Sequence, residues 1–337
     1  VVSPLPSDFI SGSQWLVQAA DPHARLARLI QMADGDYRTE SFLDDRMLAA
    51  GRPSLICSLD ELVAAANEVD DPPAAWIFHI GHVGSTLMSR LLGELDGVLA
   101  IREPRSLRDL GESSGQDRLL LAKTISRLMA RRGPSRQLAI VKATSSVSEH
   151  APQLVEPEGR ALFLYASPAN YVATILAGEN SRTEVGALHE IRMRRAAGRG
   201  VNGSSFNRND ADRAALAWAC EMTSLEAASE ALGDRQILWA DFDQMLVDMT
   251  SAILGCAQHF GLVPDRGLAE ELASGPLIRR YSKALEYDYS PSLRAELLAE
   301  ATQSHRSDIE GAMEELRQAA QSAPLLDRAL QRSGQEC

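Results

Sequence analysis

Five short apolar runs, "AAWIFHIG", "GVLAIRE", "LAIVKA", "ALFLYA" and "QILWAD", punctuate residues 74–241, and each is followed by sequence with helical character. A strand that is apolar without alternation has to be covered on both faces, and connections of this length suit parallel crossovers. The pattern therefore predicts an α/β chain: a mostly parallel central sheet between helical layers, a three-layer α/β/α architecture.

The flanks have a different texture. "QWLVQAADPHARLARLIQMAD" spaces apolar residues by three and four and reads as helix, and "SLDELVAAANEV" opens with Ser58 and Glu61 in capping-box spacing. The tail from Ser290 again reads as helices, with its glutamates and arginines on a solvated face. We expect a helical appendage over 1–70, an α/β core over 71–289 and a helical tail over 290–337. Between Gly186 and Arg213 the chain is rich in Arg, Gly and Asn and poor in apolar residues, and reads as a mobile surface lid.

The net charge of −12 argues against a general nucleic-acid or acidic-membrane binder, so no nucleic acid and no membrane is expected as partner, and any anion site has to be built locally. Cys57, Cys220, Cys256 and Cys337 show neither metal-ligand spacing nor a disulfide framework, which fits a reducing cytoplasm. No apolar run approaches the ~18 residues of a membrane span, and no leader pattern opens the chain. Composition leaves the oligomeric state open.

The first strand of the alternation runs into Gly81, His82, Val83, Gly84, Ser85 and Thr86, then into "LMSRLL" at helical spacing. Successive N–H groups in such a strand–turn–helix unit, with the positive end of the helix dipole, make an anion cradle to which two hydroxyls add donors. A nucleotide triphosphatase places a lysine before the hydroxyl; here Gly84 is followed directly by Ser85. His82 is either a loop histidine held by a backbone carbonyl or an anion donor, and Arg90 can face a ligand or solvent.

The order and spacing of these segments resemble the sulfotransferase family, in particular bacterial members with a Gly-Ser-Thr-Leu turn and an Arg-Glu-Pro after the next strand. "LAIVKATS" resembles that family's strand ending in a lysine, "ALFLYASPANYVATIL" its 3′-phosphate strand and helix, and "ILWADFDQMLVDMTSAILGCAQHFGL" its late strand and helix. The basic "IRRYSKA" falls where members close over the nucleotide. The resemblance implies a P-loop-like fold and 3′-phosphoadenosine 5′-phosphosulfate (PAPS) as donor. It also implies a small-molecule acceptor carrying a hydroxyl or amine, and no obligatory metal. It assigns Glu103 as the base, Lys142 as the cation on the transferring sulfonate and Thr174 as a hydroxyl at the nucleotide. Two positions depart from the pattern: His82 stands where a lysine is common, and Ala166 where an arginine heads the 3′-phosphate motif. Where some members carry a catalytic histidine, this chain has Thr144.

Read as chemistry, Glu103 sits after a strand end, where a partly desolvated carboxylate can take a proton, or else pairs with Arg102 or Arg105. Lys142 ends a strand and is either a transition-state cation or a surface lysine. Arg279, Arg280, Ser282 and Lys283 concentrate donors suited to a dianion, or form a solvated patch. Asp241 could hold magnesium in a P-loop kinase or nucleotide hydrolase, the second reading; a non-catalytic nucleotide-binding protein on the same fold is the third.

Overall fold

The computed structural model describes residues 2–233, 236–280 and 288–334. Strands β4 (Ala75–His79), β5 (Val98–Arg102), β6 (Leu138–Lys142), β7 (Ala161–Tyr165) and β8 (Ile237–Asp241) coincide with the five apolar runs and form one sheet in the order β5-β6-β4-β7-β8, every neighbouring pair parallel. Each of β4, β5 and β7 is buried along its whole length, which is why these segments show no alternation. From β4 the chain moves outward to β5, returns to β6, then crosses β4 to β7 and β8. Right-handed crossovers then place helices on both faces, and the carboxyl ends beside β4, where the order reverses, are where such a sheet opens a crevice.

The three strands preceding this sheet correct the expected helical appendage. β1 (Trp15–Asp21), β2 (Leu26–Gln31) and β3 (Ser54–Ser58) form a separate antiparallel sheet, with helix α1 (Asp34–Thr39) between β2 and β3 and α2 (Leu59–Glu68) after β3. The stretch read as one helix is a hairpin because Asp21-Pro22 breaks it. Asp21 accepts from the N–H groups of His23 and Ala24 at 2.9 Å, and Arg25 turns at φ 56°. In α2, Ser58 caps the Asp60 N–H at 3.1 Å. Glu61 is not seen to complete a box.

Helix α3 (Ser85–Gly93) follows β4, and α4 (Arg105–Glu112) and α5 (Gly115–Met129) follow β5. The small sheet docks on α4 through Ser106 Oγ to Val17 C=O at 2.9 Å and through the Ala20 N–H to Asp109 at 2.9 Å. After β6 come α6 (Ala151–Leu154) and then β7. The connection to β8 holds α7 (Pro168–Leu176), α8 (Glu179–Ala187), α9 (His189–Ala197) and the 23-residue α10 (Asp210–Leu232), which is buried around most of its circumference. Helices α11 (Phe242–Val247), α12 (Met249–His259), α13 (Arg266–Ser274), α14 (Pro291–Ser304), α15 (Arg306–Ala320) and α16 (Pro324–Arg332) complete the chain.

The segment expected to be a lid is helical and tied down. Arg195 pairs with Glu221 at 2.8 Å and with Glu149 at 3.3 Å, and Arg199 pairs with Glu149 at 3.1 Å. Arg195 and Arg199 thus serve acids on α10 and beside α6 rather than solvent. The tail also packs inward: Arg332 lies 3.8 Å from the centroid of the Trp239 ring on β8, and Tyr165 donates to the Arg332 carbonyl at 3.3 Å. Among the described residues no helix is long and apolar enough to cross a membrane.

Candidate active site

The turn after β4 is shaped by three successive demands on the backbone. Gly81, His82 and Gly84 all have positive φ (85°, 53° and 65°), and Gly84 is the residue from which α3 starts. Glycine at 84 is required twice, since a Cβ there would lie 2.0 Å from Cε2 of Phe242. The first bond inside α3 runs from the Met88 N–H to the Gly84 carbonyl at 3.0 Å. The N–H groups of Ser85, Thr86 and Leu87 therefore precede any helical acceptor and lie at the positive end of the helix dipole. Thr86 is 1% exposed, and its Oγ1 has no hydrogen-bond partner among the described residues. An open cradle of donors, one of them a buried hydroxyl, fits an oxyanion ligand.

This turn lines a cavity of about 810 Å3 at the carboxyl ends of the strands. Gly81 to Thr86, Glu103, Lys142, Thr174 and Arg280 all lie on its wall, as does Thr144. Lys142, fully buried at the end of β6, donates to the carboxylate of Glu103 at the end of β5. Its ammonium also stands 5.7 Å from the Phe42 ring centroid. Glu103 is held in the left-handed region, at φ 47°, by a bond from its N–H to the Lys142 carbonyl at 2.9 Å. A β-strand end forced into that region by its neighbour aims the carboxylate at the cavity, and such outliers cluster where side chains have to be placed.

The alternative partners of Glu103 are engaged elsewhere. Arg102 is buried and donates to the carbonyls of Glu40, at 2.9 Å, and Tyr37, and burial pulls its guanidinium down to about 9. Arg105 pairs with Asp109 at 2.8 Å and with Asp45. Arg90, left between ligand and solvent by the sequence, faces neither: it is buried and donates to the carbonyls of Arg38 and Thr39 and to Ser41 at 2.8–3.1 Å, anchoring the N-terminal segment to α3.

Among the described residues no carbonyl holds His82. Its ring stands 3.6 Å from Glu184 and 3.5 Å from Ser181 Oγ, both on α8, at the cavity wall. Thr174 donates back to the Asn170 carbonyl at 2.7 Å, as a mid-helix threonine does. Ala166 is buried, its carbonyl accepting from the Trp218 indole at 2.9 Å, so no cation extends from that strand end. Asp241 caps α11 through the N–H groups of Asp243 and Gln244 at 2.8 and 3.3 Å, and burial raises its carboxyl above the ordinary range. Arg280 reaches the cavity while pairing with Asp288 at 3.2 Å, whereas Arg279 lines a separate cleft beside Pro276. Ser282 and Lys283 lie outside the described residues.

Two residues at the site escaped the sequence reading. His79, the last residue of β4, accepts from the Gly81 N–H at Nδ1 (3.0 Å) and donates from Nε2 to the Ala143 carbonyl (2.9 Å). Because the Gly81 N–H can only donate, Nδ1 is bare and the proton is on Nε2, 3.9 Å from Glu103. Histidine pinned in this tautomer straps the glycine turn to the end of β6; its place inside an apolar run hid it. The second is Arg294 on α14, assigned from sequence to a solvated face but 9% exposed and on the cavity wall.

The strand order, the glycine turn and the helix rising from it define a P-loop-like α/β/α fold. No family model matches the chain, and no curated protein matches it. Among solved structures it is similar to the sulfotransferase domain from the curacin biosynthetic pathway, at 11% identity and a TM-score of 0.42 over 79% of this chain and 99% of that one. It is likewise similar to the sulfotransferase domain of the Synechococcus olefin synthase, at 13% identity and a TM-score of 0.41 over 67% of this chain and 87% of that one. A third is a sulfotransferase from Alicyclobacillus acidocaldarius, at 14% identity and a TM-score of 0.38 over 72% and 96%.

Proposed function

We propose that the protein transfers a sulfuryl group from PAPS to a hydroxyl or amine of a small-molecule acceptor. The observation that supports this reading above others is the Glu103–Lys142 pair set in the same cavity as an open phosphate turn. The donor supplies an activated sulfuryl group on a phosphate oxygen; the chain has to hold that anion, take one proton from the acceptor and offset charge that grows during transfer. The N–H groups of Ser85 to Leu87 and the hydroxyls of Ser85 and Thr86 suit the first task. Glu103, paired with Lys142 and aimed by its left-handed backbone, suits the second. Lys142 suits the third, because a fixed cation in a water-poor site stabilises charge that develops there at no cost of reorganisation.

The cavity walls suit an acceptor with an apolar body. Leu188 at the start of α9, Ile191 within it and Leu297 and Leu298 on α14 line it, and Ile191 and Leu297 are 47% and 42% exposed. Asp241, spent on capping α11, gives the magnesium-dependent kinase reading little support. Calorimetric titration of PAPS and of adenosine 3′,5′-bisphosphate into the protein tests the donor. One-to-one binding of both is expected, and binding of neither at millimolar concentration removes the proposal.

A further inference from the structure

The phosphate turn carries no lysine, the position that motif usually fills being His82, and the 3′-phosphate strand carries no arginine, that position being Ala166. A polyanionic donor needs a cation from somewhere. We propose that Arg294, on tail helix α14, is that cation, and that the anionic end of the donor is held between the N-terminus of α3 and the guanidinium of Arg294. The inference rests on the donor reading above.

Three observations place Arg294 at the turn. Gly84 packs so closely against Phe242 that no Cβ fits between them, and the Arg294 guanidinium stands 5.4 Å from the centroid of that same ring. The arginine and the start of α3 therefore flank the same aromatic ring. Second, the guanidinium is fixed on one side only: Nη1 pairs with Asp243 Oδ1 at 2.7 Å, and Asp243 is itself held by Asn170 Nδ2 at 2.8 Å. Third, Nη2 is buried, has no hydrogen-bond partner among the described residues, and belongs to a side chain on the cavity wall. A desolvated N–H of a charged group left without an acceptor is costly, and on a cavity wall a ligand, an ion or a water can complete it.

The chemistry fits a phosphate or sulfonate oxygen. A guanidinium is a rigid fork that can hold a carboxylate on one edge and an oxyanion on the other, which a lysine ammonium cannot do with fixed geometry. Thr86 Oγ1, buried and equally without a partner among the described residues, supplies a second donor from the first turn of α3. The helix is built to deliver the side chain: Ser290 caps it through the Leu293 N–H at 3.0 Å, Pro291 opens it, and Arg294, Leu297 and Leu298 fall on one face toward the cavity.

The test is titration of adenosine 3′,5′-bisphosphate and of inorganic pyrophosphate into the full chain and into Arg294→Gln. Because Gln leaves Asp243 without its cation, the paired variant Asp243→Asn/Arg294→Gln is titrated alongside, with melting temperature recorded for each. Loss of one charge-assisted bond predicts affinity weakened by about 10- to 100-fold in both variants, including a paired variant that melts with the wild type. A wild type that binds while the folded paired variant binds equally well overturns the role of Arg294 and leaves the donor reading standing. A wild type that binds neither ligand overturns the donor reading itself.

Discussion

Gly84→Ala tests the geometry on which the site is built, because the structure assigns it two separate penalties. At φ 65° the residue lies in the left-handed region, where a Cβ costs about 1–2 kcal/mol. The new methyl would meet Phe242 Cε2 at 2.0 Å. Ordinary carbon–carbon contact is about 3.5–4.0 Å, so the ring has to retreat by roughly 1.5 Å. Phe242 is 2% exposed and packed against the turn, and overpacking of this kind costs about 1–3 kcal/mol. The sum is about 2–5 kcal/mol, which for a chain of this size lowers the melting temperature by roughly 3–7 °C. Calorimetry of wild type, Gly84→Ala, Phe242→Ala and the double variant separates the two penalties. The clash vanishes in the double variant, so a coupling of about 1–3 kcal/mol is expected between the sites. A Gly84→Ala protein that melts within about 1 °C of wild type refutes the packing argued for the turn.

Other consequences follow from the same contacts. Lys142→Met strands the Glu103 carboxylate in a largely buried site and should cost about 3–5 kcal/mol, much of it recovered in Lys142→Met/Glu103→Gln; equal denaturation midpoints for the single and double variants would show the pair to be unimportant. Burial pushes the His150 imidazole down from 6.5 to about 4. The unfolded chain takes up a proton near pH 6.5 while the folded one does not, so this contribution to stability is complete above that pH and is lost as pH falls toward 4. His150→Gln should flatten the stability profile across that window, and parallel profiles would contradict the assignment. Amide exchange along α9 should be slow in ligand-free protein, because Arg195 and Arg199 anchor the helix to Glu221 and Glu149; exchange as fast as in an unstructured peptide would restore the lid reading.

The central sheet was legible because strands buried on both faces leave an unmistakable trace, an apolar run too short for a buried helix and followed by one. The N-terminal hairpin was not. Leu16, Val17, Ala19 and Ala20 before the turn, and Leu26, Ala27, Leu29 and Ile30 after it, satisfy a spacing of three and four as well as they satisfy two facing strands. Asp21-Pro22 was the signal that could have decided it. The turn, Glu103 and Lys142, singled out at strand ends and by resemblance, line one cavity because the carboxyl ends of parallel strands converge there. Arg294 was not singled out, since helical spacing shows which face is polar and nothing of what packs beneath it. The same blindness made Arg195 and Arg199 look like solvent-facing charge: their partners, Glu149 and Glu221, are 26 to 50 positions away along the chain and meet them only through the fold.

The central claim, that a Glu103–Lys142 pair beside an open phosphate turn performs sulfuryl transfer, is met most directly by one comparison. Wild type and Glu103→Gln are mixed with PAPS and a panel of hydroxyl and amine acceptors with apolar bodies, and release of adenosine 3′,5′-bisphosphate is followed against sulfonated product. The account predicts equimolar release by the wild type. For Glu103→Gln it predicts a rate lower by roughly 10²-fold or more with nucleotide affinity nearly unchanged, because a base is felt only when the acceptor is attacked. Sulfuryl transfer by Glu103→Gln at the wild-type rate would contradict it.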